Sequence, residues 1–298
     1  MGMGKRLLAS ANWLFGIHKM KKNIFLYHKN CDDGFGAAWA AWKKFGNSGT
    51  YIASAPHEDP PKGLAGKNVY LMDLCYSAEA IKKLLKTTKL LTVIDHHISS
   101  KKAVELAPNH IFNGDSTHSG AMLSWQYFHP QKKVPLLLLT IEDVDLWRWT
   151  LSHSNELSAS LRTYKRDFST WSRIARDWEK PSTRKKYIEE GLAIRKEQRT
   201  QVKSAVDDAL LVNFCGYKTH VSNSSMFVSE IGSELVKKLP PIGIIWSQRK
   251  DKIVVSLRSN GKVDVSKLAK KFGGGGHKAS AAFRLDLNQK LPWKIIKK

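Results

Sequence analysis

Two apolar runs, Val69–Met72 and Leu90–Ile94, each stop at an aspartate, Asp73 and Asp95, and a helical stretch over Ser77–Lys86 lies between them. Ser77 stands where a helix N-cap is expected. Upstream, Ile24–His28 is a short apolar strand, Gly34–Phe45 an Ala- and Trp-rich helix and Thr50–Ser54 a second strand, followed by a loop through Pro56, Pro60 and Pro61. Strands alternating with helices imply βαβ units, and so a parallel sheet with helices on both faces. Ligands gather at the carboxyl ends of the strands in such sheets. His28, Asp73 and Asp95 all fall at those ends.

Beyond this region, Ser119–Phe128 and Val134–Thr140 read as buried helices. From Asn155 to about Leu210 the pattern is almost wholly helical, polar and basic, with Ser182–Leu210 as one long helix capped by Ser182 or Thr183. A different pattern follows: strands over Ile242–Trp246 and Lys252–Leu257, a helix over Val265–Phe272, a Gly-rich loop and a strand over Ala279–Leu285. The expected organisation is a basic extension over 1–22, an α/β domain over 23–165, a helical connector over 166–212 and a smaller α+β domain over 213–298. The first 22 residues are basic with a short apolar stretch, and they read as a mobile extension rather than a signal segment.

The formal net charge of the 298 residues is +23, although charged residues make up an ordinary 25%. A surplus of that size raises the local concentration of polyanions, so nucleic acid is the first partner to consider. Three scattered cysteines, Cys31, Cys75 and Cys215, make neither a disulfide framework nor a Cys-based zinc site, which points to a reducing, cytoplasmic setting. No apolar run approaches the roughly 20 residues needed to span a bilayer. A membrane role is not expected.

The chemistry is carried by short carboxylate and imidazole clusters. They are His28 with Asp32-Asp33-Gly34, then Asp73, Asp95-His96-His97, Gly114-Asp115-Ser116-Thr117-His118-Ser119-Gly120, and Glu142-Asp143-Val144-Asp145-Leu146-Trp147. One aspartate after a strand is usually a cap or turn residue. Several at the tips of neighbouring strands repel one another unless cations lie among them. Carboxylates plus imidazoles, without thiolates, suit Mn²⁺ or a similar ion better than structural zinc.

The Asp95-His96-His97 triplet after an apolar strand, with the upstream His28 cluster and the lone Asp73, resembles the DHH phosphoesterase family, which includes pyrophosphatases, oligoribonucleases, cyclic-dinucleotide phosphodiesterases and RecJ exonucleases. Gly273-Gly-Gly-Gly276-His277 and the preceding Val255–Ser259 strand resemble the substrate-binding part of the DHH-associated domain. The resemblance covers roughly residues 24–285. It implies that His28, Asp32 or Asp33, Asp73, His96 and an aspartate from Asp143–Asp145 hold two Mn²⁺ ions, with Mg²⁺ or Co²⁺ as substitutes. It further implies that Asp73 bridges the ions and His97 contacts the substrate phosphate. Asp95 either orients the neighbouring imidazole or shares in the metal shell. The adjacent Asp32-Asp33 departs from the family's commoner His-x-x-x-Asp-x-Asp spacing. Asp33, which precedes a glycine, is favoured over Asp32, and Asp145 over Asp143.

Gly274, Gly275 and Gly276 let backbone amides approach a phosphate, with Arg258 and His277 as further contacts. Ser116 and His118, at a helix start, are candidates for a second phosphate, although simple capping explains them nearly as well. The connector interleaves Arg162, Lys165, Arg166, Arg173 and Arg176 with Tyr164, Phe168, Trp171 and Trp178. This is either a base-stacking track or an amphipathic face, and burial is favoured for the tryptophans. The expected function is metal-dependent hydrolysis of short single-stranded oligonucleotides, RNA or DNA, to mononucleotides. Alternatives are hydrolysis of cyclic dinucleotides or 3′-phosphoadenosine phosphate, single-strand DNA exonuclease activity and, ranked low, a non-catalytic nucleic-acid scaffold. A homodimer would extend the small core.

Overall fold

The computed structural model describes residues 21–114 and 117–296. Residues 1–20 of the basic extension expected over 1–22, and Asp115 and Ser116, lie outside the described residues.

Five parallel strands form the first sheet: β1 (Asn23–His28), β2 (Gly49–Ser54), β3 (Asn68–Met72), β4 (Leu90–Asp95) and β5 (Asn109–Phe112). Their order is β2-β1-β3-β4-β5. The chain leaves β1 towards one edge and returns to β3 on its other side, so the switch point of the sheet lies between β1 and β3. Such a point opens a crevice at the strand ends.

Helix α1 (Asp32–Phe45) connects β1 to β2, α2 (Ala78–Thr87) connects β3 to β4, and α3 (Lys101–Val104) precedes β5. Successive strand residues alternate in direction, and the two faces bury different partners. Ile24, Leu26, Val69, Leu71 and Val93 pack with Ile81, Leu84 and Val104 on one face. Phe25, Tyr70, Met72 and Ile94 pack on the other with Ala37, Ala38 and Ala41 of α1, and with Leu123 and Phe128 of α4 (Gly120–Phe128). This is the expected three-layer α/β arrangement. The Ser77 side chain caps α2 by accepting from the Ala80 amide.

Helices α5 (Leu136–Asp145), α6 (Ser154–Leu161), α7 (Phe168–Glu179) and α8 (Pro181–Asp207) follow. Trp171, Ile174, Trp178 and Tyr187, all within the expected connector, join one core with Phe35 and Trp39 of α1 and Leu137, Leu138 and Ile141 of α5. Trp171 and Trp178 are fully buried. Tyr164 and Phe168 pack against the same core, so the connector's four aromatics form an inward face. The long helix starts at Pro181, whose fixed φ suits a first helical position, and ends at Asp207. Leu210 is therefore not helical as expected but begins a strand. Gly216, at φ +88°, closes a tight turn that pairs this strand with the next.

The second sheet has seven strands in the order β10-β11-β9-β8-β7-β6-β12. They are β6 (Leu210–Phe214), β7 (Tyr217–Asn223), β8 (Ile242–Arg249), β9 (Lys252–Ser259), β10 (Gly275–Gly276), β11 (Ser280–Asp286) and β12 (Trp293–Ile295). Helices α9 (Val228–Lys238) and α10 (Val265–Lys270) accompany it. Only β7 and β8 pair in parallel among these strands. Val202 of α8 packs on Ile231 and Leu235 of α9 and Ile245 of β8, which fixes the second sheet to the long helix. No helix among the described residues is long and apolar enough to cross a membrane.

Candidate metal centre

The ends of β1, β3 and β4 deliver His28, Asp73 and the Asp95-His96-His97 triplet to one place. Asp73 is the buried hub. It has φ +53°, an uncommon conformation for a non-glycine residue and one that clusters at functional sites. Gly120 packs so closely on it that a Cβ there would lie 2.5 Å from the Asp73 Cβ, so the first turn of α4 needs glycine to reach the centre. Gly34 has the same role for α1, where a Cβ would lie 2.2 Å from the His28 carbonyl oxygen.

The His96 Nε2 stands 3.2 Å from Asp73 Oδ1, 3.6 Å from Asp33 Oδ2 and 3.7 Å from Asp145 Oδ2. On the other side of Asp73, His28 Nδ1 is 3.4 Å from Oδ2. Asp33 is buried and its carboxylate accepts from the amides of Gly120 (2.7 Å) and Ala121 (3.0 Å) at the start of α4. A helix N-terminus favours such an anion.

Asp95 behaves differently. Its Oδ1 accepts from the His97 ring Nδ1 at 2.7 Å and from the His96 amide at 2.8 Å, while Oδ2 accepts from the Ser100 hydroxyl. The carboxylate thereby fixes the His97 ring with Nδ1 as donor and leaves Nε2 for another partner.

The aspartate pairs left open in the sequence separate in space. Asp32 points out of the cluster and pairs with Arg166 at 2.8 Å and Arg162 at 3.9 Å. Asp143 turns away and accepts from Thr150, whereas Asp145 enters the cluster. Two further residues stand beside these. Cys31 groups with His28 and Asp73 within metal-binding range, so a thiol stands among donors that the sequence pattern gives as carboxylate and imidazole alone. Glu142 is buried and receives the His118 Nδ1 (3.1 Å), the Ser119 amide (3.0 Å) and Arg148 (3.1 Å). Position in a carboxylate-rich segment was the only sequence signal for Glu142. For Cys31 it was insertion between His28 and Asp33.

Electrostatics make the cluster strained without cations. Burial, and then the charges of Asp73 and Asp145, push the Asp33 carboxyl well above its ordinary range. Burial and Asp73 likewise push Asp145 up to about 6. Burial disfavours ionised Asp73 too, but the surrounding imidazoles of His28, His96 and His97 outweigh it and hold the group ionised. Burial works against protonation of His96, yet Asp73 and the neighbouring carboxylates raise it to about 10. Protons therefore do the work of counter-charge. Both Asp73 carboxylate oxygens and His28 Nδ1 are nevertheless buried with no hydrogen-bond partner. Orphaned acceptors of this kind, ringed by carboxylates and imidazoles, fit divalent cations.

In the second domain, His277 is lowered by burial and by the charges of His97 and His96. Gly274 is required by packing, since a Cβ there would lie 2.2 Å from the Ala282 carbonyl oxygen, whereas a Cβ on Gly275 would meet nothing within 4 Å. Gly276, at φ +139°, lies against Ala281. The Arg258 guanidinium donates to the Leu257 carbonyl and to the Ser229 hydroxyl, both at 3.0 Å. His118 is held at Glu142, and neither it nor Arg258 belongs to the grouped metal-range residues.

Comparison with known proteins supports the same frame. Residues 207–293 match the DHHA1 domain. The uncharacterised protein R106 of Acanthamoeba polyphaga mimivirus is 26% identical over 288 residues, covering 88% of this chain and 67% of that protein. Among solved structures, the pGpG-specific phosphodiesterase PggH of Vibrio cholerae superposes with a TM-score of 0.51 at 16% identity, covering 90% of this chain and 94% of that one. RecJ of Thermus thermophilus, solved with Mn²⁺, gives 0.51 at 14% identity over 89% of this chain, which spans 50% of that RecJ. These likenesses establish the fold. The chain thus carries a DHHA1 domain over residues 207–293 and shares its fold with PggH and RecJ, and the Asp95-His96-His97 triplet stands at the tip of β4.

Proposed function

We propose that this protein is a divalent-metal-dependent phosphodiesterase that hydrolyses short single-stranded oligonucleotides to mononucleotides. The observation that carries the reading is the Asp73 carboxylate, buried and without a hydrogen-bond partner, at the meeting point of His28, Cys31, His96 and His97. In this reading His28, Asp33, Asp73, His96 and Asp145 would hold two divalent ions, preferably Mn²⁺. Bound there, such ions would supply an activated water and offset the charge that develops at phosphorus.

The chain's own groups supply the rest. Asp95 holds His97 so that Nε2 faces the cleft and donates to a phosphate oxygen when the ring is protonated. The shift of His97 above its ordinary value, against the effect of burial and through its bond to Asp95, favours that protonated form. The amides around Gly275 offer donors with no side chain in the way. A cavity of about 300 Å³, lined by Cys31, Asp33, Asp145, Arg162 and Arg166, opens beside the centre and adds basic groups to a carboxylate-rich site. The +23 charge supports a polyanionic substrate.

The name of PggH describes a phosphodiesterase for pGpG, a substrate of two nucleotides, and this favours the short end of the length range. The test is incubation of the purified protein with Mn²⁺ and end-labelled RNA and DNA from two to about twenty-five nucleotides, a range that brackets single-strand site sizes. The expected result is fast release of mononucleotides from the shortest substrates, absent in Asp73→Asn. Intact substrates at every length, with metal bound, would overturn the reading.

A further inference from the structure

A cavity of about 640 Å³ lies between the two domains, walled by the loop after α5 on one side and by α8 and α9 on the other. It is not among the features that the sequence singled out. Two tryptophans mark its rim, Trp147 and Trp149, with ring centroids 4.7 Å apart and planes at 71°. Trp147 is 47% exposed, an unusual display for so large an apolar ring. Both residues adopt left-handed backbone conformations, at φ +56° and +57°. Bulky side chains rarely accept that conformation, and its cost is met only where the surroundings impose it. Here the Asp143 carboxylate imposes it by accepting from the Thr150 amide and hydroxyl just past the pair.

The opposite wall is basic. Arg195 and Arg199, one helical turn apart on α8, line the cavity together with Lys203. The Nε of Arg195 is buried and has no hydrogen-bond partner, although its Nη1 donates to Gln198 at 3.1 Å. Two carboxylates share this wall: Glu230 accepts from Gln198 at 2.9 Å and its charge acts on Arg195, and Glu234 pairs with Lys237 at 2.7 Å, which leaves Arg199 and Lys203 as the cations not offset by these two carboxylates. Converging guanidinium groups beside presented aromatic rings suit a phosphate and a base in one unit. Trp147 follows Asp145 by two residues in the chain, so one segment contributes to both the centre and the cavity.

We propose that this cavity is a nucleotide subsite, in which Trp147 and Trp149 stack a base of the bound strand and Arg195 and Arg199 take its phosphate. The inference rests on the phosphodiesterase reading for the strand's orientation towards the centre, but not for binding itself. The two are separable by measuring affinity without hydrolysis.

The experiment uses the full chain in EDTA with a fluorescein-labelled pentanucleotide carrying one 5-iodouracil. Anisotropy gives Kd for wild type, Trp147→Leu, Trp147→Phe and Arg199→Ala, and irradiation followed by mass spectrometry maps the crosslink. The expected loss is roughly tenfold for Trp147→Leu, the size of one base–aromatic stack, with recovery in Trp147→Phe and a crosslink at Trp147 or Trp149. The exposed Arg199→Ala variant carries the test should Trp147→Leu fail to fold. Wild-type Kd in Trp147→Leu and Arg199→Ala, no binding by wild type, or crosslinks confined to the Gly-rich loop would each overturn the subsite. Trp147-dependent binding by a protein that hydrolyses nothing would uphold the subsite and overturn the activity.

Discussion

Asp143 accepts two hydrogen bonds from Thr150, from its amide at 2.8 Å and its hydroxyl at 2.7 Å, and so faces away from the centre that Asp145 enters. Their substitutions should therefore fail differently. Asp143→Ala removes two hydrogen bonds from a buried position, worth together about 2 kcal/mol, and should lower Tm by several degrees while leaving the bound metal count unchanged. Asp145→Ala should lower the metal count at nearly unchanged Tm in EDTA. Elemental analysis beside thermal melts separates the two, and equal metal loss in both variants would show that the division of roles is wrong.

Stability should depend on pH in opposite senses with and without metal. His96 is raised from 6.5 to about 10, so its protonated form stabilises the metal-free fold below pH 6.5. That contribution is lost as pH rises from 6.5 to about 10. Asp145, raised to about 6, works in the same direction between its ordinary value and pH 6, because the folded state holds the extra proton. Divalent ions compete with these protons and bind more tightly as pH rises. Thermal melts from pH 6 to 10 should fall in EDTA and hold or rise with Mn²⁺. A flat profile in EDTA would contradict the proton-held cluster.

Cys31 stands within metal-binding range of His28 and Asp73 and would offer an ion there a donor softer than carboxylate or imidazole. Burial first, and then the charges of Asp73, Asp33 and Asp145, keep it a thiol in the metal-free protein, so an ion has to displace its proton. Co²⁺-loaded protein should show a near-ultraviolet thiolate-to-metal absorption that Cys31→Ser lacks. An identical spectrum in both would remove Cys31 from the coordination shell.

Much of this site was legible because apolar runs that stop at Asp73 and Asp95 declare strand ends, and strand ends of a parallel sheet share one crevice. What stayed hidden is directional. Neighbouring residues on a helix point about 100° apart, so one of the adjacent Asp32 and Asp33 reaches the amides of α4 while the other meets Arg166. Residue type alone does not say which. The same holds for Asp143 and Asp145 at the end of α5, and for Cys31, a lone cysteine whose meaning depends on what stands beside it. Strand β5 carries little sequence signal because it is four residues long and half exposed. Helix α9 carries Gly232 mid-helix, a residue that normally weakens the helical signal, yet a Cβ there would lie 2.5 Å from Arg258 Cγ, so the packing demands it.

The same packing logic separates structure from function in the Gly-rich loop. Gly274→Ala would drive a methyl into the Ala282 carbonyl and the Phe283 side chain, at 2.2 and 2.5 Å, and should lower Tm together with activity. Gly275 has open space at the Cβ position and a backbone that does not require glycine, so Gly275→Ala should fold with an unchanged Tm. If amides at Gly275 approach a phosphate, the added methyl intrudes on the substrate alone and raises KM by about tenfold, the equivalent of roughly one lost phosphate hydrogen bond. Steady-state kinetics on a dinucleotide beside a thermal melt decides the matter. An unchanged KM would mean that the glycines serve only the close approach of the loop to β11.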